Sequence, residues 1–302
     1  MAVMMRKVRS YRLYVLAVLL GGASYGFVSP IVKVAYHKGF SATEVTSGQF
    51  YYAALLLWLI VLFQTRGKIS LKTLSRVDFW RLLALGLLGT GTAVLYYRAL
   101  TVLPAWLAII LLFQFSWMTF VLDYIVRRRI PTGWQWGGIL LIVIGTVLAN
   151  LHSQIGHHWS ALGMFDGLMS GATYAAFLYI NGHVQSPIKP FLRASLITSV
   201  SAVAVSAIYP PHVELFVAAW HGMWVYGLLI GLFSQAIPTS LFAVGVPHVG
   251  GSAAAILSSV ELPIAVLLAA GLLHEQVSVI GWIGVLFIIA GIAVGQRQQR
   301  VA

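Results

Sequence analysis

The strongest constraint on this chain is a succession of apolar stretches, each near the 20 or so helical residues that cross a bilayer. Ten can be drawn, at roughly 13–35, 44–64, 79–99, 103–126, 134–151, 160–182, 191–209, 222–243, 250–273 and 278–296. Lipid offers no hydrogen-bond partner to a peptide group, so stretches of this length become helices. The connections are short and leave no room for a separate soluble domain. The expected fold class is therefore an all-α integral membrane protein of ten transmembrane helices. Residues 1–12 are basic and precede an apolar run, which imitates a signal peptide. That run continues through Phe27, Val28 and Ile31 to Tyr36, so it reads as a retained first span.

A net charge of +12 would point a soluble protein toward nucleic acid. Here the distribution of charge decides otherwise. With the N-terminus in the cytoplasm, the cytoplasmic segments hold Arg6, Lys7, Arg9, Arg12, Arg66, Lys68, Lys72, Arg76, Arg81, Arg127, Arg128, Arg129, Lys189, Arg193, Arg297 and Arg300. Only Lys33, Lys38 and Arg98 fall outside. This bias is the positive-inside rule, and it predicts ten spans with both termini cytoplasmic. The clusters at 66–81 and 127–129 are explained by topology, with membrane lipid head groups as partners. No nucleic-acid partner is expected. The chain contains no cysteine, which removes disulfides, thiolate metal sites and cysteine nucleophiles.

An internal repeat comes next. Gly22-Ala23-Ser24-Tyr25-Gly26 is echoed by Gly171-Ala172-Thr173-Tyr174-Ala175. A shift of 146 residues superposes Ala108 on Ala254, Trp136 on Trp282, Gly138 on Gly284 and Gly145 on Gly291. The predicted halves are 1–152 and 153–302. Five spans is an odd number, so the second half enters the membrane from the opposite side. That is the inverted-topology repeat of many secondary transporters. Glycines four apart, as in Gly163/Gly167/Gly171 and Gly291/Gly295, read mainly as close helix packing.

Chemistry concentrates in the ninth segment, Gly250 to Gly271. It carries Glu261 near its midpoint and Pro263 two residues on. An acidic side chain at mid-bilayer costs roughly 3 kcal/mol on insertion scales. Pro263 has no N–H, so the carbonyl of Ser259 loses its helical donor. Ser258 lies one turn before Glu261 on the same face. A lined cavity explains why a chain keeps both defects at this depth; a carboxylate that merely ties two helices together is the plainer reading. Gln114, Ser116 and Trp117 occupy the equivalent part of the fourth span, and Gln235 and Pro238 interrupt the eighth. Tyr25 and Tyr174 offer aromatic walls, Asp166 sits in the sixth span, and Lys33 and Arg98 stand at outer helix ends, where both could instead snorkel to the interface. Asp123 and Glu275 read as interfacial. His152, His157 and His158 lack a helix to fix their spacing and a nearby carboxylate, so no metal site is expected. Neither a cofactor motif nor a nucleophile–base pair is present, and an enzyme reading has no support.

Three stretches resemble the EamA-type ten-span members of the drug/metabolite transporter superfamily. They are Gly39-Phe40-Ser41-Ala42-Thr43-Glu44, Ala99-Leu100-Thr101-Val102-Leu103-Pro104-Ala105, and Leu257-Ser258-Ser259-Val260-Glu261-Leu262-Pro263 through His274-Glu275 and Gly281-Trp282-Ile283-Gly284. The likeness covers essentially the whole chain. Three departures stand out. Leu262 separates Glu261 from Pro263, Phe115 and Trp117 replace that element in the first half, and Gln49 stands where the family often has arginine. The resemblance implies export of small metabolites, amino acids or similar amphipathic compounds, across a bacterial cytoplasmic membrane without ATP. The inverted repeat and the buried carboxylate add the expectation of alternating access, with Glu261 binding substrate or coupling protons, in a monomer or homodimer. The competing expectation is a non-transporting membrane scaffold or lipid-binding subunit, which would have a dry, sealed core around Glu261.

Overall fold

The computed structural model describes residues 2–69, 74–103, 105–128, 130–150, 160–184, 188–210, 219–272 and 279–295. Among these residues the regular structure is entirely helical. In chain order the helices are α1 (Ala2–Tyr25), α2 (Val28–His37), α3 (Ala42–Thr65), α4 (Arg76–Val102), α5 (Ala105–Leu112), α6 (Phe115–Arg127) and α7 (Gly133–Asn150). They continue with α8 (Ala161–Asn181), α9 (Pro190–Ile208), α10 (Trp224–Gly231), α11 (Ile237–Val249), α12 (Gly251–Ser258), α13 (Glu261–Leu272) and α14 (Val279–Gly295). Seven helical stretches are long and apolar enough to span a membrane: Tyr11–His37, Ala42–Thr65, Arg76–Val102, Ala108–Arg127, Pro190–Ile208, Trp220–Val249 and Gly251–Leu268. Gly133–Leu148 and Val279–Gly295 are apolar but shorter. The sixth expected segment is α8, a continuous helix of 21 residues whose hydropathy is diluted by Asp166, Ser170 and Thr173. Glu275, His152, His157, His158, His212 and His274 lie outside the described residues.

Helix starts follow local chemistry. Ser41 caps α3: its Oγ accepts from the Glu44 N–H, and the Glu44 carboxylate accepts from the Ser41 N–H, a reciprocal capping box. Ser75 and Ser160 cap α4 and α8 in the simpler way. The αL conformations of Arg66 and Arg128 close α3 and α6.

Two broken helices shape the centre. Leu112 and Ser258 close α5 and α12, and Phe115 and Glu261 open α6 and α13, at positions that differ by 146 in each case. Three bonds of the turns match: Gln114, Ser116 and Met118 donate to Leu111, Phe113 and Gln114, as Val260, Leu262 and Ile264 do to Leu257, Ser259 and Val260, whereas Phe113 donates to Ile109 and its equivalent Ser259 to Ile256. Proline is present only in the second copy, so it is not what creates the break. In that copy the Ser259 carbonyl, deprived of a donor by Pro263, accepts from Leu262 N–H at 3.3 Å in a tighter turn.

Glycine sets how closely the helices approach. A Cβ on Gly22 would sit 2.7 Å from Ser258 Cα, and one on Gly171 would sit 2.8 Å from the Leu112 carbonyl oxygen. The echoed motifs of α1 and α8 thus press on the ends of the two broken helices. Gly145 and Gly291 likewise let α7 and α14 meet at backbone distance, facing Gly284 O and Gly138 O. Elsewhere α1 packs on α11, α4 on α8 and α3 on α9. The main apolar core includes Val18, Leu82, Leu85, Leu178, Phe242, Val246 and Leu257.

Candidate functional site

A cavity of about 360 Å³ adjoins this core. α1–α2 contribute Tyr25, Val28, Val32 and Tyr36, and α4 contributes the run from Gly89 through Thr92, Tyr96 and Tyr97 to Leu100. Ile109, Leu112 and Phe113 come from the first break, Tyr174 and Phe177 from α8, and Glu261, Leu262 and Ala265 from α13. Gln49, Ser234, Gln235 and Thr239 complete the wall. On α1–α2 and α4 the lining residues lie farther along than the core residues Val18, Leu82 and Leu85, while Phe113, Tyr174, Phe177 and Leu262 belong to both the wall and the core.

Glu261 is the single charged side chain among the described residues lining this space. Its carboxylate makes no hydrogen bond or ion pair among the described residues. Glu261 opens α13 at the break, where Leu262 and Ile264 N–H already donate to the Ser259 and Val260 carbonyls and Pro263 has no N–H, so these positions offer the carboxylate no free donor. Tyr25, Tyr96 and Tyr174 stand within its electrostatic reach. Tyr25 meets Tyr174 edge-on with ring centroids 6.3 Å apart, and Phe115 meets Tyr174 at 4.7 Å. The Tyr174 hydroxyl is buried beside Tyr25 and Ser258 without a well-formed hydrogen bond.

Pro238 marks a second defect. Leu232–Ala236 forms a single π-helical turn joining α10 to α11, in which Ile237 N–H donates to the Leu232 carbonyl. The Phe233 carbonyl is then left without a donor, because its i+5 residue is Pro238. Ser24 Oγ donates to it at 2.7 Å from α1. The wide turn carries Ser234 and Gln235 into the cavity wall, and Ser234 Oγ donates to Gln49 Oε1 at 3.1 Å. Gln49 is 2% exposed, and its Nε2 has no partner among the described residues.

Of the residues singled out in the sequence, Glu261, Tyr25, Tyr174 and Gln235 come together around this cavity. Ser258 is fully buried just behind it, with its hydroxyl donating to Ala255 O. Gln114 and Trp117 engage each other instead: Trp117 Nε1 donates to Gln114 Oε1 at 2.7 Å, and Gln114 Nε2 to Ile110 O. Arg98 pairs with Asp166 at 3.2 Å, joining α4 to α8, with the carboxylate buried and the guanidinium half exposed. Lys33 belongs to α2, and its side chain falls outside the described residues. Arg193, grouped above with the topology-setting charges, is buried: its Nη2 donates to Asn181 Oδ1 at 2.7 Å and its Nη1 to Val184 O. Tyr36, Tyr96, Tyr97 and Ser234 were not picked out beforehand. A Tyr96-Tyr97 doublet inside an otherwise apolar span is the signal that could have found two of them. A smaller cavity of about 200 Å³ lies among Asp123, Arg127, Tyr179, His183 and Gly250–Ala253.

Comparison with known proteins fits this geometry. The model of the EamA-like transporter family matches twice, over residues 12–151 and 159–294. The chain is 26% identical over 304 residues to the uncharacterized transporter sll1319 of Synechocystis sp., covering 92% of this chain and 91% of the relative. Its fold is shared with a solved crystal structure at a TM-score of 0.69 and 14% identity, covering 96% of this chain and 98% of the other. Two family matches filling the chain, on an apolar helical bundle with a lined central cavity, place this protein in the EamA-like transporter family of the drug/metabolite transporter superfamily, as a multi-pass membrane transporter.

Proposed function

We propose that the chain is a secondary transporter that exports small amphipathic metabolites from the bacterial cytoplasm by alternating access. The observation that carries this reading is a carboxylate, Glu261, without a partner among the described residues, in the wall of an aromatic cavity. A scaffold protein has no use for such a group, whose desolvation is costly at membrane depth. In this reading ten helical passes form two inverted halves, 1–152 and 153–302, in the inner membrane with both termini cytoplasmic. The matched breaks at 112–115 and 258–261 support the two-fold relation, as do the paired glycine contacts of Gly22 and Gly171. So does the packing of α1 on α11 and of α4 on α8, because the two pairs exchange if the halves do.

With that orientation the cavity faces outward, and the core of Val18, Leu82, Phe242 and Leu257 seals the cytoplasmic side. Transport would exchange which half is packed. Glu261 alternates between substrate and proton, so that a proton entering from outside releases the substrate and returns the carrier empty. The test is flux in proteoliposomes under an imposed pH gradient. Flux should rise with the gradient and collapse in Glu261→Gln. A variant that transports at the wild-type rate would remove Glu261 from both roles.

A further inference from the structure

The cavity has two polar poles of opposite character. Glu261 presents a carboxylate with no partner among the described residues, in a wall it shares with Tyr25, Tyr96 and Tyr174. Gln49 presents a carboxamide whose Oε1 is occupied by Ser234 Oγ and whose Nε2 is buried and unpartnered. Buried donors are nearly always satisfied, so an orphan in a cavity wall marks the place of a ligand acceptor. Tyr96, Tyr97, Phe113 and Phe177 line the same cavity.

Resting on the transport reading above, we propose that the substrate carries an ammonium group for Glu261 and an uncharged acceptor, an amide or ester carbonyl, for Gln49, on an aromatic or apolar body. An ammonium is attracted both by the carboxylate and by tyrosine ring faces. Gln49 offers a neutral donor. A free carboxylate placed there would be stripped of water with no cation to replace it, and in an apolar cavity that exchange is unfavourable. The site therefore prefers an amino amide or amino ester to the corresponding amino acid. A volume of about 360 Å³ equals about a dozen liquid waters at roughly 30 Å³ each, which suits a body the size of phenylalanine amide.

The experiment compares phenylalanine amide, phenylalanine, phenethylamine and 3-phenylpropanamide, with binding measured in detergent by calorimetry and flux measured separately in proteoliposomes. The amide should bind at least tenfold more tightly than phenylalanine. Phenethylamine, lacking the acceptor, and 3-phenylpropanamide, lacking the charge, should each fall between or below. Gln49→Arg should reverse the order of phenylalanine and its amide. Gln49→Leu, a less demanding replacement, should abolish the advantage of the amide over phenethylamine. Equal binding of phenylalanine and its amide, or no binding of any probe, would overturn the assignment of the poles. The expected ranking in binding without flux of any probe would instead refute transport and leave the two poles standing.

Discussion

Replacing Gly22 by alanine tests the central packing argument. The new Cβ would lie 2.7 Å from Ser258 Cα, 2.9 Å from its carbonyl oxygen and 3.2 Å from its carbonyl carbon. All three atoms are main chain, so no rotamer change relieves the clash. Ordinary contact begins near 3.4 Å, and α1 and α12 must separate by several tenths of an ångström. A gap of 0.5–1 Å forfeits about a quarter to a half of the dispersion well for each atom pair affected, and overpacking of this kind costs about 1–3 kcal/mol. Alanine returns about 0.8–1 kcal/mol of helix propensity, leaving a net loss of about 0–2 kcal/mol, against a net gain of that propensity at an unobstructed glycine. Gly171→Ala, facing Leu112 and Leu111 carbonyl oxygens at 2.8 and 2.9 Å, should behave the same way. Gly137→Ala is the control: its Cβ meets only Val294 Cγ1 at 3.8 Å, so propensity should leave it neutral or stabilised. Thermal unfolding in detergent should rank the two tight variants below wild type and the control level with it or above. Flux should fall in both tight variants, because each wedge acts where a broken helix meets the cavity. If Gly22→Ala proves as stable as Gly137→Ala, α1 does not approach Ser258 at the distance argued here.

The remaining expectations are brief. Asn181→Ala removes a charge-assisted hydrogen bond to buried Arg193 and should cost about 1.5–3 kcal/mol in unfolding free energy; a loss under about 0.5 kcal/mol would mean that water replaces the amide. The Arg98–Asp166 pair is half exposed on the arginine side, so a double-mutant cycle should return a coupling of about 1 kcal/mol or less, weaker in high salt. Trp117→Phe loses a bond to Gln114 outside the cavity wall and should spare substrate affinity, whereas Tyr96→Leu should weaken it; the reverse result would move the site to the first break. Ser41→Ala breaks the capping box of α3 at a cost of about 1 kcal/mol without changing which probes bind.

Much of this was legible in one dimension. The membrane environment, the helical class and the importance of Glu261 follow from apolar run length and from the cost of a charge in lipid, which any reader of the sequence can apply. The echo of Gly22–Gly26 in Gly171–Ala175 also pointed to a repeat, since tight helix contacts select glycine at fixed spacing. Sequence could not say which polar residues share a space. Gln114, Trp117, Arg98 and Asp166 carry the same composition signal as Gln235 and Tyr25, yet they bond to one another and leave the cavity wall. Arg193 looked like a surface charge and is buried against Asn181. Gln49 drew notice as a polar residue in the second span and as a departure from a pattern. Its significance depends on Ser234, 185 residues away, taking one end of its amide and leaving the other free. Even the break before Glu261 belongs to the fold more than to Pro263, because the first half breaks at the matching place without a proline. Periodicity and burial cost act along the chain and can be read there; hydrogen-bond satisfaction is a property of neighbours, and only the packed bundle supplies them.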